Sequence, residues 1–361
     1  MHRGRVRLTP RRAGLLGLAA CLACAEGGTT GPPAADLDDF AARLEALRVA
    51  SRIPGVSVVV ARGQQIVWAR GFGLADVERQ RVVTPSTTFH LASLTKPYAA
   101  TVVLQLVEEG RVGLDDPVAR YGVVLPGPGV VTVRHLLTHT SEGVPGSVFR
   151  YNGSRFGLLD SVIAHAAGQS FAQALQARIV GPLRLVHTAP NNLSPADFDV
   201  AGLDRTAFEA ELARGYAVSG ATTVPTAYER YFGSAAGLIA SAADVAAFAM
   251  AMDRDALLRP ETGAMMISPA RSTAGDTLPY GLGWFVTRSR GVRVVWHYGL
   301  WTASSALIVR VPDRGLTYVV LANTSALSQP YDIVGDVRNS PWAREFLDAF
   351  VHGSATLPGS P

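Results

Sequence analysis

The chain predicts an α+β fold: one antiparallel sheet flanked by N- and C-terminal helices, with a mainly helical subdomain inserted between two groups of strands. Three observations carry this reading. Runs rich in β-branched residues lie near both ends of the chain, at residues 55–73 and 282–323. The stretch between them, from Leu114 to about Ser234, reads as helices joined by long loops. One helical apolar pattern precedes the first strands and another closes the chain. Strands from both ends can share a sheet, the terminal helices can cover it, and a cleft against the helical part can hold a site.

The elements follow in order. From Asp36 to Ile53, residues Leu37, Phe40, Leu44 and Leu47 recur at helical spacing, so an amphipathic helix is expected. Gly55 to Ala61 and Gln65 to Gly73 are separated by Arg62-Gly63-Gln64, a hairpin signal. Ser93 to Glu109 reads as a helix with Pro97 in its first turn, where proline is tolerated, and Gly110 just past its end. Val131 to His139 and Gly157 to Ala174 are the clearest helices of the middle stretch, and Ser241 to Met252 is another. Leu282 to Arg288, Val292 to His297, Ser304 to Val311 and Leu316 to Asn323 are strand-like, with Pro312-Asp313-Arg314-Gly315 as a turn. Trp342 to Val351 is an apolar closing helix, and no internal repeat is visible.

Composition excludes several classes. With 361 residues, 48% hydrophobic and 17% charged, the chain is an ordinary globular one, long enough for one large domain or two subdomains sharing a core. The formal charge is +4, but Arg3, Arg5, Arg7, Arg11 and Arg12 fall in a segment that reads as an export signal. Removing these five of the 33 basic residues leaves 28 against 29 acidic ones, so the mature chain has no electrostatic footprint for nucleic acid. The apolar stretch Ala13 to Ala25 is too short to span a bilayer. Two processing outcomes compete. Leu18-Ala19-Ala20-Cys21 looks like a bacterial lipobox, which would leave a lipidated Cys21, whereas Ala23-Cys24-Ala25 has the small-x-small form of an ordinary cleavage site. Cys21 and Cys24 are the only cysteines, so the folded body carries no thiol or disulfide. The expected organisation is a signal segment at 1–25 with the lipobox at 18–21 and a flexible tether at 26–35. A catalytic domain at 36–350 follows, its α/β part about 36–92 and 280–350 and its helical part about 93–279, and then a tail at 351–361. The expected location is exported, periplasmic or membrane-anchored as a bacterial lipoprotein.

Of the 33 lysines and arginines, only Lys96 is a lysine. Arginine and lysine are interchangeable as surface charges but not where an amine must lose its proton, because guanidinium stays protonated. The one position that escapes the arginine bias is thereby nominated as chemistry. Ser93 stands three residues upstream, so on a helix the two side chains share a face, with Cβ atoms about 5–6 Å apart. The free N–H groups at a helix start can hold an oxyanion while the Ser93 hydroxyl attacks a carbonyl. Ser-x-x-Lys by itself is a weak signal.

Further stretches strengthen it. Phe89-His90-Leu91-Ala92-Ser93-Leu94-Thr95-Lys96-Pro97 resembles the first motif of the serine beta-lactamase superfamily, in its class C-like branch. That branch includes class C beta-lactamases, D-Ala-D-Ala carboxypeptidases, D-aminopeptidases and family VIII esterases. Leu114-Asp115-Asp116-Pro117-Val118, His135-Leu136-Leu137-Thr138-His139-Thr140-Ser141, Gly181-Pro182-Leu183, Tyr280-Gly281-Leu282-Gly283-Trp284 and Trp296-His297-Tyr298-Gly299 resemble the same branch in the same order. The resemblance implies Tyr151 of Tyr151-Asn152-Gly153 as the catalytic tyrosine, a phenolate whose pKa the Lys96 cation would lower. Glycine stands at 153 where the pattern has asparagine, leaving Asn152 as a neighbouring substitute with a side chain expected to point elsewhere. The third motif, Lys-Thr-Gly in beta-lactamases, reads His297-Tyr298-Gly299 here, which resembles esterases and D-aminopeptidases more closely. It implies a binding or proton-transfer role for His297, a close substrate approach at Gly299 and a second oxyanion N–H from Leu300.

His135 and His139, four residues apart, invite a zinc reading, but no His-Glu-x-x-His pattern and no third ligand is evident, so neither metal nor cofactor is expected. Trp284, Trp296 and Trp301 cluster near the third motif and suit either an acyl pocket or the core. The expected function is a serine hydrolase working through an acyl-enzyme on Ser93, with a small ester, amide or peptide as substrate. A D-Ala-D-Ala carboxypeptidase or weak beta-lactamase is the alternative within that class, and a catalytically idle ligand-binding or scaffold protein the alternative outside it. Any membrane association is expected through the lipid anchor, and the oligomeric state is not legible.

Overall fold

Strands from the two ends of the chain do meet in one sheet. The computed structural model describes residues 34–191, 202–220, 222–329, 331, 333–353, 355 and 357. The expected signal segment, Cys21, nearly all of the expected tether and most of the expected tail lie outside the described residues. After helix α1 (Ala34–Ala50) come strands β1 (Gly55–Arg62), β2 (Gln65–Asp76), β3 (Arg81–Val82) and β4 (Thr88–His90). The middle contributes β5 (Thr188–Pro190), β6 (Tyr216–Ser219), β7 (Thr222–Pro225) and β8 (Leu238–Ser241), and the end contributes β9 (Phe285–Ser289), β10 (Val292–Trp301), β11 (Ser304–Val311) and β12 (Leu316–Ala322). Among the described residues the main sheet runs β3-β2-β1-β12-β11-β10-β9. The N- and C-terminal groups are joined by the antiparallel pair β1 and β12, from Val56 opposite Ala322 to Arg62 opposite Leu316.

Period-2 alternation divides these strands between two cores. On one face Val56, Val58, Val60, Leu307, Val309, Tyr318 and Val320 pack with Phe40 and Leu44 of α1 and with Trp342, Phe346 and Phe350 of the closing helix. On the other face Val59, Ala306, Ile308, Val319 and Leu321 meet the helices of the middle stretch. Both faces being covered, the strands read as nearly continuous apolar runs. Each buried valine, leucine or phenylalanine contributes about 1.5–3 kcal/mol of transfer free energy.

Four helices place the site: α2 (Lys96–Glu108), α3 (Val133–Leu137), α4 (Gly153–Gly157) and α5 (Leu159–Ala167). Helix α2 is buried on nearly every side, from Lys96 to Leu106, which explains why its sequence lacks an amphipathic stripe. Pro97 sits in its first turn, as expected. The expected helices at 131–139 and 157–174 are shorter and broken. Thr132 caps α3 in a reciprocal box with His135, and the Thr138 hydroxyl turns back to the Arg134 carbonyl at its end. The second splits at Leu158 and again at Gly168, whose φ of +69 ends α5 before Ser170 caps the next helix. Outside the main sheet the described residues also hold strands that the sequence pattern did not reveal: a three-stranded sheet β4-β8-β5 and the hairpin β6-β7. No helix of the described residues is long and apolar enough to cross a membrane.

Candidate active site

The residue before Ser93 is strained. Ala92 has φ +46, a left-handed conformation that costs a side-chain-bearing residue about 1–3 kcal/mol unless its surroundings hold it. Here they do. The Ala92 N–H donates to His90 Nδ1 at 3.1 Å, and the Leu91 N–H donates to the Leu238 carbonyl at 2.8 Å. Thr95 closes the turn by donating to the Ala92 carbonyl at 2.7 Å while accepting the Leu238 N–H at 3.0 Å. Strand β8 is thus locked onto the turn Ala92–Thr95, which precedes α2 and lifts Ser93 out of the helix proper. Burial brings the His90 pKa down to about 3, so the imidazole is neutral and carries its proton on Nε2.

Lys96 is fully buried. Its Nζ lies 2.9 Å from Ser93 Oγ and donates to the Ala235 carbonyl at 2.8 Å. No ion pair to Lys96 exists among the described residues, and burial lowers its pKa to about 7. The lysine lies over the Tyr151 ring, 5.0 Å from its centroid. Tyr151 Oη is buried and faces Ser93 without reaching hydrogen-bonding geometry. Burial raises the Tyr151 pKa well above the usual phenol value, the nearby Tyr298 adds to this, and only Ser93 opposes it. Lys96 thus lies against the ring face and makes no hydrogen bond to Oη, while burial opposes the phenolate expected there.

Strand β10 closes the other side. Its pairing with β9 ends at Trp296 opposite Phe285, the first residue of β9, so His297 to Trp301 run on past β9, beside the Ser93 turn. A Cβ at Gly299 would stand 1.9 Å from the Leu91 carbonyl oxygen, so the strand rests directly on the backbone that leads into Ser93. The close approach expected there for substrate is already made by the protein itself. Leu300, half-buried, follows on the same strand opposite Ser305.

Known proteins match the chain that carries this site. The family model described as Beta-lactamase matches residues 40–336. This chain belongs to the Beta-lactamase family. Penicillin-binding protein 4* of Bacillus subtilis (strain 168) is 28% identical over 317 residues, covering 74% of this chain and 67% of that protein. Esterase EstB of Burkholderia gladioli is 39% identical over 153 residues, 36% of this chain and 37% of that one. The octameric penicillin-binding protein homologue from Pyrococcus abyssi superimposes with a TM-score of 0.72 at 23% identity, over 81% of this chain and 74% of the other. The chain spans about 60–67% of the length of several curated relatives it matches.

Two residues expected to face substrate in this Beta-lactamase family site do not. His297 is fully buried, with Nδ1 2.8 Å from the Tyr298 carbonyl and Nε2 2.9 Å from Tyr280 Oη. Burial, and then the Lys96 charge, hold its pKa well below the usual imidazole value. With both nitrogens engaged, His297 is a neutral support for Tyr280, not a proton donor to a leaving group. Asn152 caps α4, accepting the Arg155 N–H at 3.0 Å, and its amide nitrogen donates to Glu142. Its substrate-binding role is withdrawn, because the side chain is spent on the helix start.

Other residues take unforeseen places. His139, with φ +55, is buried against Tyr151 at 4.4 Å and Phe156 at 5.2 Å between ring centroids, and its Nδ1 accepts the Asn152 N–H at 3.1 Å. It supports the Tyr151 segment, while His135 Nδ1 accepts the Thr132 N–H in the α3 cap. Nothing in the sequence separates the two histidines except that only one precedes Tyr151 closely. Trp284 and Trp296 are core residues. Trp301 alone of the three lines a small cavity of about 140 Å³ with His90, Tyr228, Glu229 and Thr302, and its indole N–H donates to Glu229 at 3.0 Å.

Proposed function

We propose that this chain is a serine hydrolase that forms an acyl-enzyme on Ser93 and cleaves small ester or amide bonds. The observation that carries the proposal is the fully buried Lys96 amine, 2.9 Å from Ser93 Oγ, with a pKa brought to about 7. A neutral amine at that distance takes the Ser93 proton as Oγ attacks the substrate carbonyl. The N–H groups of Ser93 and Leu300 would hold the oxyanion. Tyr151, kept as a phenol, delivers its proton to the departing alkoxide or amine and recovers one from the Lys96 ammonium. Water then attacks the acyl carbon and passes a proton to Lys96, and Lys96 hands it to Ser93 Oγ as the acid product departs. Every proton returns to its starting place.

Substrate class rests on charge. The third motif, His297-Tyr298-Gly299, carries no lysine, so a carboxylate-bearing substrate would find no cation from that motif to pair with. Neutral short-chain esters and amides suit the site better than beta-lactams. A panel of short-chain nitrophenyl esters, D-amino-acid amides and nitrocefin tests this. Turnover of the best ester or amide is expected to exceed that of nitrocefin by about tenfold or more, equivalent to ~1.4 kcal/mol in the barrier. Nitrocefin hydrolysis matching the best ester would overturn the substrate reading. The naming of relatives as penicillin-binding proteins supports a second reading, in which penicillins acylate Ser93 and leave slowly.

A further inference from the structure

Lys96 lacks a side-chain amide partner. A Cβ at Gly153 would lie 3.9 Å from its Nζ, so the glycine leaves that flank without a polar group. Besides Ser93, the hydrogen-bond partner of Nζ among the described residues is a backbone oxygen, that of Ala235. Backbone carbonyls in loops aim only as well as the loop is held. Here the loop is a tight turn in which Gly233 and Ala236 exchange hydrogen bonds, N–H to carbonyl at 2.9 and 3.1 Å. Ser234 inside it is buried, and its hydroxyl donates to the Phe156 and Gly157 carbonyls at 3.2 and 3.3 Å, at the end of α4. Its N–H donates to Asp160 Oδ1 at 2.7 Å. A Cβ at Gly233 would come within 2.6 Å of both Asp160 Oδ2 and Tyr231 Oη, so the turn is seated directly against the carboxylate.

We infer that Asp160 is a positioning residue for the reaction: from the first turn of α5 it fixes the turn 233–236, and through it aims the Ala235 carbonyl at the Lys96 amine. The inference rests on the reading of Lys96 as the base for Ser93. It gives a partly buried carboxylate on a helix distant in sequence a role in setting the protonation of the lysine. A carbonyl oxygen aimed at Nζ favours the ammonium and so holds its pKa up against burial. The other groups facing Lys96 are Ser93, Tyr151, His139 and His297; both histidines are held neutral by burial. The groups facing Asp160 are Ser234 and the Tyr231 hydroxyl.

The test is the acid limb of kcat/KM for a nitrophenyl ester in the full chain, normalised to active sites counted with a fluorophosphonate. Asp160→Ala frees the turn. Its limb is expected to move to lower pH by roughly 0.5 unit or more, with kcat falling about tenfold and KM little changed. Asp160→Asn keeps an oxygen to accept the Ser234 N–H and is expected to restore limb and rate to within about twofold of wild type. Gly233→Ala, which pushes the same turn from the other side, is expected to shift the limb like Asp160→Ala and serves should that variant not fold. A purely structural role would lower Tm and the count of active sites but leave the limb in place. An unmoved limb in Asp160→Ala or Gly233→Ala, with Ser93 still labelled, overturns this inference alone. Wild-type protein that takes no label overturns the hydrolase reading and this inference with it.

Discussion

Lys96→Arg is expected to be as damaging as Lys96→Ala, each lowering kcat/KM by about 10²–10⁴-fold, the range of a lost general base. Arginine keeps the charge but cannot surrender it, and its planar fork is bulkier than the ammonium. Lys96 is fully buried between Ser93, the Tyr151 ring and the Ala235 carbonyl, so a permanent cation there would also lack a counter-charge. The wild-type pH profile carries the same logic. Lys96 must be an amine to act, so kcat/KM is expected to rise with pH through about 7, the value that burial sets, and to be largely lost a unit below it. Steady-state kinetics of the two variants and of wild type across pH 5 to 9 measure this. If Lys96→Arg keeps more than about a tenth of activity, a loss of only ~1.4 kcal/mol, the lysine is merely electrostatic.

Gly299→Ala is expected to cost activity out of proportion to one methyl group. The added Cβ would lie 1.9 Å from the Leu91 carbonyl oxygen and 3.3 Å from the Ala92 Cβ. Backbone cannot yield as a flexible side chain does, so β10 or the Ser93 turn must move. A displacement of ~1 Å between the two halves of a site costs about 10²-fold in rate, and overpacking of this kind about 1–3 kcal/mol in stability. Turnover and the urea midpoint together measure both effects. Turnover within about threefold of wild type would show that β10 does not set the geometry around Ser93.

What could be read without coordinates was local or periodic. Ser93 and Lys96 are three residues apart, so any helical conformation brings them together, and the solitary lysine marked itself. The β-branched, apolar runs of β1, β11 and β12 disclosed strands, and their places at the two ends disclosed a shared sheet. Whatever depended on a partner far along the chain stayed hidden. Ala235 acts through its carbonyl oxygen, which any residue possesses, so no residue type could announce it. His297 looked available for proton transfer because its neighbours Tyr280 and the Tyr298 carbonyl occupy it only in the fold. The burial that opposes ionisation of Tyr151 has no local signature beside the nearby lysine. Strands β4, β5 and β8 are only three or four residues each, too short for a period to emerge, yet they hold the turn bearing Ser93.

The most direct measurement is the site of covalent attachment. Intact protein treated with a fluorophosphonate is digested, and the modified peptide is sequenced by mass spectrometry. One adduct is expected, on the peptide bearing Ser93, formed faster as pH rises through about 7 and absent in Ser93→Ala. An adduct on another serine, or labelling that survives in Ser93→Ala, would contradict the assignment of Ser93 as the nucleophile.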